Sequence, residues 1–501
     1  MMCTATVIVW SALAAAPAFE ADIRAVAALP GEPHAVGAAG VLSDETPVLT
    51  LENADAFDPA STRRRAVVYA SGTSAAASET VVRMVRWFKT LAPSQLREQW
   101  ILSALPVARF DPADTKSMSR WMNFQAPDVA IEIVDGDVRP IGPGDVYTNN
   151  WVIRLPAADA RLGGTLSAAK PGRSDIHNTI AARVSRAPLD IARLLARRYP
   201  ESPGISYIPA TAWVQTLRLA GIAGDDSLHT KVVEQTKPWT SGEKKLFGDR
   251  IQLTSVAGTM IFDELHDNAL FEEGVTAAAK EKASAEPEYG QGWTDDMFMA
   301  TSVLARSGVR PGHARDIDVA ARLLIAYADQ LQQANGLFNH AVNGPAAWGR
   351  GNGFAALGLV EALTRMPQAH PSRARVLDIY RRQMAGVRAN QAPDGAWRQI
   401  VDEPGAYREE TATAMLMTAM ARGIRFGWLD ESFRPAVDRA WRALAAHVAD
   451  DGTLVDVCAG TGAGPTKRYY FDRPAVTGAD DRGGAMALLA AMEMHDLTRA
   501  R

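Results

Sequence analysis

The period of the apolar positions changes near residue 186. Before that point, short runs rich in β-branched residues alternate with one helical pattern. "TPVLTLEN", "RRAVVYASG" and "DVAIEIVDG" read as strands. Between them "ETVVRMVRWFKTLAP" places Val82, Val85, Phe88 and Leu91 at helical spacing. Strand, helix and strand in turn predict an α/β unit with some parallel pairing. Residues 20–46, rich in Ala, Gly and Pro, read as a linker.

From about residue 186 the pattern is helical almost throughout, from "APLDIARLLARRYP" through "DDMFMATSVLARSG" and "GFAALGLVEALTRMP" to "RGGAMALLAAMEMHDL". Several of these segments stop at Gly or Pro, as helix ends do. Ten or more helices in succession fit a solenoid, a bundle or a closed toroid of hairpins. No repeat of fixed period is visible, which disfavours the common solenoids. The predicted fold is therefore mainly α, a toroid preceded by a smaller α/β domain. The expected boundaries are 1–20 for a signal peptide, 21–185 for the α/β domain and 186–501 for the helical domain.

The signal-peptide reading rests on the apolar stretch Val7–Ala15 and the small residues around Pro17, and it predicts export. No Lys or Arg stands near Met1, as such leaders usually require. The net charge of −4 gives no general pull towards nucleic acid or membrane, and no later stretch is long and apolar enough to span a bilayer. Oligomeric state is not legible. Cys3 and Cys458 are the two cysteines, too few for a disulfide framework or a cysteine-based zinc site.

Candidate chemistry gathers in three loops before helices. The first is Trp293-Thr294-Asp295-Asp296, with Thr294 a candidate N-cap. Acids at a helix start are ordinary, because exposed N–H groups and the dipole favour negative charge. The second is "GLFNHAVNG", centred on His340, and the third is "AAWGRGNGFAALGLVEAL", with Trp348, Arg350, Asn352 and Phe354. Glycines admit close approach of a ligand, aromatic rings offer faces to a sugar, and Arg offers a fork to a carboxylate. Taken singly, Trp348 reads equally as core, His340 as a structural histidine and Arg350 as a partner for helix-end carbonyls. Together they read as a pocket for a small acidic carbohydrate.

In that order, "WTDDMFMA", "GLFNHA" and "WGRGNGFAALGLVEAL" resemble the unsaturated uronyl hydrolases of glycoside hydrolase families 88 and 105. The likeness continues through "GAWRQIVDEPGAYREETATAMLMTAMARGI" and "YYFDRPAVTGADDRGGAMALLAAMEM", covering roughly residues 190 to 498. The resemblance implies an (α/α)6 toroid that removes a 4,5-unsaturated uronic acid from the non-reducing end of lyase-generated oligosaccharides. It implies hydration of the C4=C5 bond, with no metal or cofactor. One carboxyl then suffices, instead of the usual pair at fixed separation. By residue matching, Asp295 is the general acid/base and His340 its catalytic companion. Trp293, Asp296, Trp348, Arg350, Asn352 and Phe354 are implied as substrate-binding, with Arg350 on the sugar or its carboxylate. Phe354 stands where relatives carry Trp. A second acid on an earlier inner helix has no counterpart, since "QLTSVAGTMIF" offers Thr254 and Ser255.

Residues 21–185 faintly resemble the α/β domain of zinc carboxypeptidase-like proteins. The H-x-x-E zinc pair is absent, so a degenerate, non-catalytic domain is expected. Other activities stay open on the same toroid: hydrolysis of saturated uronides, polysaccharide β-elimination, or carbohydrate binding without catalysis.

Overall fold

A computed structural model describes residues 16–111, 114, 116–138, 151–170, 172–249, 251–280 and 290–499. The leader expected at the start lies largely in residues 1–15, outside the described residues. The chain divides into two compact units. The first comprises Met1–Ser185 with Ala392–Asp394 and Glu403–Tyr407, and the second holds the remainder.

The first unit runs α1 (Ala16–Ala28), β1 (His34–Val41), β2 (Pro47–Asn53), β3 (Arg64–Ala70), α2 (Ala75–Thr90), α3 (Ser94–Gln99) and β4 (Trp100–Leu105). It continues with α4 (Ser117–Gln125), β5 (Val129–Val134), β6 (Trp151–Pro156), α5 (Leu162–Ala168) and α6 (Asp175–Val184). The six strands form one sheet in the order β1-β2-β4-β3-β5-β6. The four strands β4, β3, β5 and β6 are parallel, and β1 and β2 add an antiparallel edge. Buried apolar side chains of β3, β4, β5 and α2, such as Val68, Leu102, Ile131 and Phe88, make the core on one face.

The linker expected at 20–46 is instead structured. Ile23 and Val26 of α1 are buried in that core, and "HAVGAAGV" is β1. Its small residues serve packing. A Cβ at Gly37 would lie 2.3 Å from a carboxylate oxygen of Glu52, and one at Gly40 would lie 2.8 Å from Ser117.

The second unit begins with α7 (Pro188–Arg198), α8 (Tyr207–Ala223), α9 (Asp226–Thr240), α10 (Leu253–Gly258), α11 (Met260–Glu264) and α12 (Asn268–Lys280). Then follow α13 (Thr294–Ser307), α14 (Arg315–Leu331), α15 (Gly349–Arg365), α16 (Arg373–Ala389), α17 (Glu410–Arg425) and α18 (Arg434–His447). It ends with β7 (Leu454–Cys458), α19 (Lys467–Phe471), β8 (Ala475–Gly478) and α20 (Asp481–Arg499).

Helices α8, α10, α13, α15, α17 and α20 each pack against the next, and α20 packs back on α8, closing a ring of six. Helices α7, α9, α12, α14, α16 and α18 lie outside it, against inner helices. This is an (α/α)6 toroid. Sequence composition explains the sorting. Inner helices such as α15 and α17 are buried on nearly every side, whereas α14 shows one apolar face. Glycine allows the tight inner contacts: a Cβ at Gly358 of α15 would lie 2.2 Å from the Met297 carbonyl oxygen of α13.

Each outer helix returns the chain, so the inner helices run parallel and their N-termini share one end of the ring. The periodicity missed α9, which carries an internal Pro238, and α12, as well as the short strands β7 and β8.

Candidate active site

The site lies where the inner helices begin. Trp293, not Thr294, takes the N-cap position of α13, and the helix starts at Thr294. The adjacent acids then part. Asp296 is buried, and its Oδ2 accepts the backbone N–H groups of Gln291, Gly292 and Trp293 at 3.0, 2.9 and 3.1 Å. The Tyr327 hydroxyl donates to the same oxygen at 2.8 Å. Burial pushes the Asp296 carboxyl up to about 7, the negative Asp295 adds to the rise, and the Tyr327 and backbone hydrogen bonds oppose it. Asp295 points differently. Its side chain keeps 20% of its surface exposed, and its Oδ2 lies 3.3 Å from His340 Nε2.

His340 is fully buried behind Asp295. Its ring lies 4.4 Å from that of Trp348 and 5.4 Å from that of Trp293, between centroids. Its loop is stitched to the start of α13, since Thr294 N–H donates to the His340 carbonyl at 2.9 Å. The hydrogen-bond network assigns the tautomer. The Gly464 N–H donates to the Tyr470 oxygen at 3.1 Å, and that hydroxyl lies 3.0 Å from His340 Nδ1. With an Asp295 carboxylate oxygen opposite Nε2, the arrangement in which the Tyr470 hydroxyl donates to Nδ1 satisfies both ring nitrogens. Nε2 then carries the ring hydrogen and donates to Asp295.

The start of α15 is built for support. Arg350 donates through Nη1 to the Cys458 carbonyl at 2.6 Å and through Nη2 to the Ala459 carbonyl at 2.7 Å. It is 3% exposed, with its guanidinium 4.9 Å from the Trp348 ring centroid. Asn352 clamps the histidine loop: its Oδ1 accepts Phe338 N–H at 2.8 Å, and its Nδ2 donates to the carbonyls of Phe338 and Trp348. Phe354 packs edge-on against Tyr207 and stacks with Phe298.

Of the residues expected at the substrate, four have their side chains engaged inside the protein. Asp296, Asn352 and Phe354 have their polar atoms or faces engaged inside the protein, and Arg350 has both Nη atoms on backbone carbonyls. Trp348 is 1% exposed and supports His340. Trp293, Asp295, His340 and Trp348 do converge, and Trp293 and Asp295 keep exposed surface.

Two features escaped sequence reasoning. One is Tyr470, which sits in the quoted "YYFDRP" but was given no role. The other is the glycine-rich segment 458–464, which approaches Trp293 where a Cβ at Gly462 would lie 3.5 Å from the indole. Glu409, the N-cap of α17, holds this segment from the other side by accepting Cys458 N–H at 2.8 Å. Among the described residues, no three His, Cys, Asp or Glu side chains gather as a metal site would need.

Residues 257–498 match the family model described as Glycosyl Hydrolase Family 88. Among curated proteins, the chain is 29% identical over 175 residues to an unsaturated 3S-rhamnoglycuronyl hydrolase of Alteromonas sp. (strain LOR), covering 32% of this chain and 42% of that one. It is 28% identical over 228 residues to the unsaturated rhamnogalacturonyl hydrolase YesR of Bacillus subtilis (strain 168), covering 43% of this chain and 63% of that one. The chain thus spans about half the length of these relatives. Among solved structures, a family 105 glycoside hydrolase of C. acetobutylicum ATCC 824 superposes with a TM-score of 0.55 at 17% identity, over 62% of this chain and 100% of that one. That likeness shows a shared fold.

Proposed function

We propose, from the membership of the chain in glycosyl hydrolase family 88 through residues 257–498, that it removes 4,5-unsaturated uronic acid from the non-reducing end of acidic oligosaccharides. The observation that carries this reading is Asp295: a partly exposed carboxyl beside Trp293, backed by His340, at the end of the ring where the inner helices begin. The relatives' names point to unsaturated uronides. The gathered helix N-termini favour a substrate that carries a carboxylate.

In this reading Asp295 donates a proton to C4 of the unsaturated ring. Positive charge develops at C5 and is shared by the ring oxygen. Water adds at C5 as Asp295 takes back a proton from it. The C5 hemiketal opens by breaking its bond to the ring oxygen, which leaves a ketone at C5 and a hemiacetal at C1. The hemiacetal collapses to an aldehyde and releases the remaining sugar. The single carboxyl serves first as acid and then as base. His340 Nε2–H holds one oxygen of Asp295, so the other faces the reacting carbons. Tyr470 fixes the histidine tautomer. Trp293 offers the exposed ring surface.

The test is incubation with a panel of lyase-generated oligosaccharides. Loss of the ultraviolet absorbance of the enol carboxylate is expected for at least one member. Persistence of absorbance across the panel contradicts the proposal.

A further inference from the structure

Three arginines converge on the short segment after β7. Arg350 is spent on the carbonyls of Cys458 and Ala459. Arg473 is spent on the Gly460 carbonyl and, at 3.3 Å, on the Thr461 hydroxyl. Arg482, in the first turn of α20, differs. Its Nη2 and Nε lie 2.8 and 3.4 Å from the Asp480 carboxylate, which fixes the guanidinium plane. Its Nη1 has no hydrogen-bond partner among the described residues, and the side chain keeps 26% of its surface exposed.

Gly460 leaves that end open. A Cβ at this position would lie 3.5 Å from Arg482 Nη1, where glycine places none. Two residues further on, Gly462 faces the Trp293 indole. Two residues span at most about 7 Å of chain, and Asp295 follows Trp293 by two positions. The Tyr207 hydroxyl, raised to about 12 chiefly by burial, feels both Asp295 and Arg482, which agrees with their shared surroundings.

We propose that Arg482 Nη1, open over Gly460, forms an anion subsite beside Asp295 that binds a carboxylate or sulfate oxygen of the sugar substrate. The proposal rests on the uronide reading for its ligand class. It also follows from the engagement of Arg350, which leaves the reading of an anion to another cation. A guanidinium pinned on one edge by Asp480 presents its remaining N–H groups in a fixed plane, a geometry that suits an oxyanion and that a mobile lysine lacks.

The experiment compares wild type, Arg482→Gln and Arg482→Lys on three unsaturated disaccharides: one sulfated on the reducing sugar, its desulfated form, and the methyl ester of that form. Loss of one charge-assisted hydrogen bond is expected to raise KM by about tenfold or more in Arg482→Gln, with kcat within about threefold. A loss confined to the sulfated substrate assigns the sulfate. A loss shared by both carboxylates and absent from the ester assigns the uronate. Arg482→Lys is expected to recover part of the affinity. Equal losses on all three, or none, overturn the proposal. Calorimetric titration of inorganic sulfate at low ionic strength tests the subsite without turnover. Weaker binding to Arg482→Gln than to wild type is expected, and equal binding contradicts the subsite. If wild type turns over none of the three, the uronide reading fails while the titration still decides the subsite.

Discussion

Helices α13 and α15 begin alike and do different work. Both follow a tryptophan, both are inner helices, and both carry polar residues in the first turn. In α15 every such side chain is consumed: Arg350 holds Cys458 and Ala459, and Asn352 holds Phe338 and Trp348. In α13 one of two acids is consumed. Asp296 satisfies three backbone N–H groups and Tyr327, which leaves Asp295 partly exposed against His340. Motif density therefore does not separate an open carboxyl from a consumed one. The proposal that Asp295 reacts rests on its partial exposure.

The largest expected effect separates the two acids. Asp295→Asn should lower kcat by roughly 10²–10⁴-fold, the usual worth of a general acid/base, while leaving the thermal melt close to wild type. An active Asp295→Asn beside a dead but folded Asp296→Asn would reverse the comparison.

The α15 residues should fail by another route. Arg350→Met leaves two carbonyls of the 458–459 segment without their donor and should cost about 2–4 kcal/mol of stability, read by denaturant unfolding. Its activity loss should be equal on a uronide and on the same oligosaccharide with the terminal carboxyl reduced to an alcohol. A loss specific to the uronide would show that Arg350 reads the carboxylate after all.

Tyr470→Phe tests the chain of hydrogen bonds behind Asp295. Removing the hydroxyl frees the His340 tautomer and should lower kcat by about tenfold, with KM unchanged. An unchanged kcat would leave Tyr470 a packing residue only.

The smallest effect is a pH dependence at Asp296. Its ordinary value of 3.8 is raised to about 7 in the fold. Between those values the folded chain holds a proton that the unfolded chain has lost. The group's stabilising contribution is thus full below about pH 4 and is lost as pH rises through 7. The melting temperature of Asp296→Asn, measured against wild type, should therefore gain as pH goes from 4 to 8. A difference that stays flat over this range would place Asp296 among ordinary ionised acids.

Much of the helical ring is legible in the sequence, because outer helices such as α14 show one apolar face and inner ones such as α17 are long runs rich in Ala, Met and Leu. What periodicity cannot convey is where a polar side chain is aimed. Arg350 and Asn352 are conspicuous in "WGRGNG", yet their partners lie at residues 458–459 and 338, and only the fold brings these together. Tyr470 was hidden for the same reason, standing 130 positions from His340. Composition misled at residues 20–46, where Ala and Gly look like slack. There they serve close packing, with α1 buried through Ile23 and Val26 and β1 admitting the Glu52 carboxylate against Gly37. The acids at the start of α13 were readable as a pair. Residue matching already gives them different roles; the contacts with Tyr327 and His340 that hold them apart are seen only in the fold.

The central claim is that Asp295 acts on C4 rather than on the glycosidic oxygen. The most direct measurement compares wild-type turnover of an unsaturated disaccharide with that of its analogue bearing sulfur in the glycosidic linkage. Protonation at C4 makes no demand on the linking atom, so loss of enol absorbance should proceed at rates within about tenfold of each other. Sulfur is a far weaker proton acceptor than oxygen, so a thio-linked substrate that stays intact while its oxygen counterpart is consumed would contradict the account.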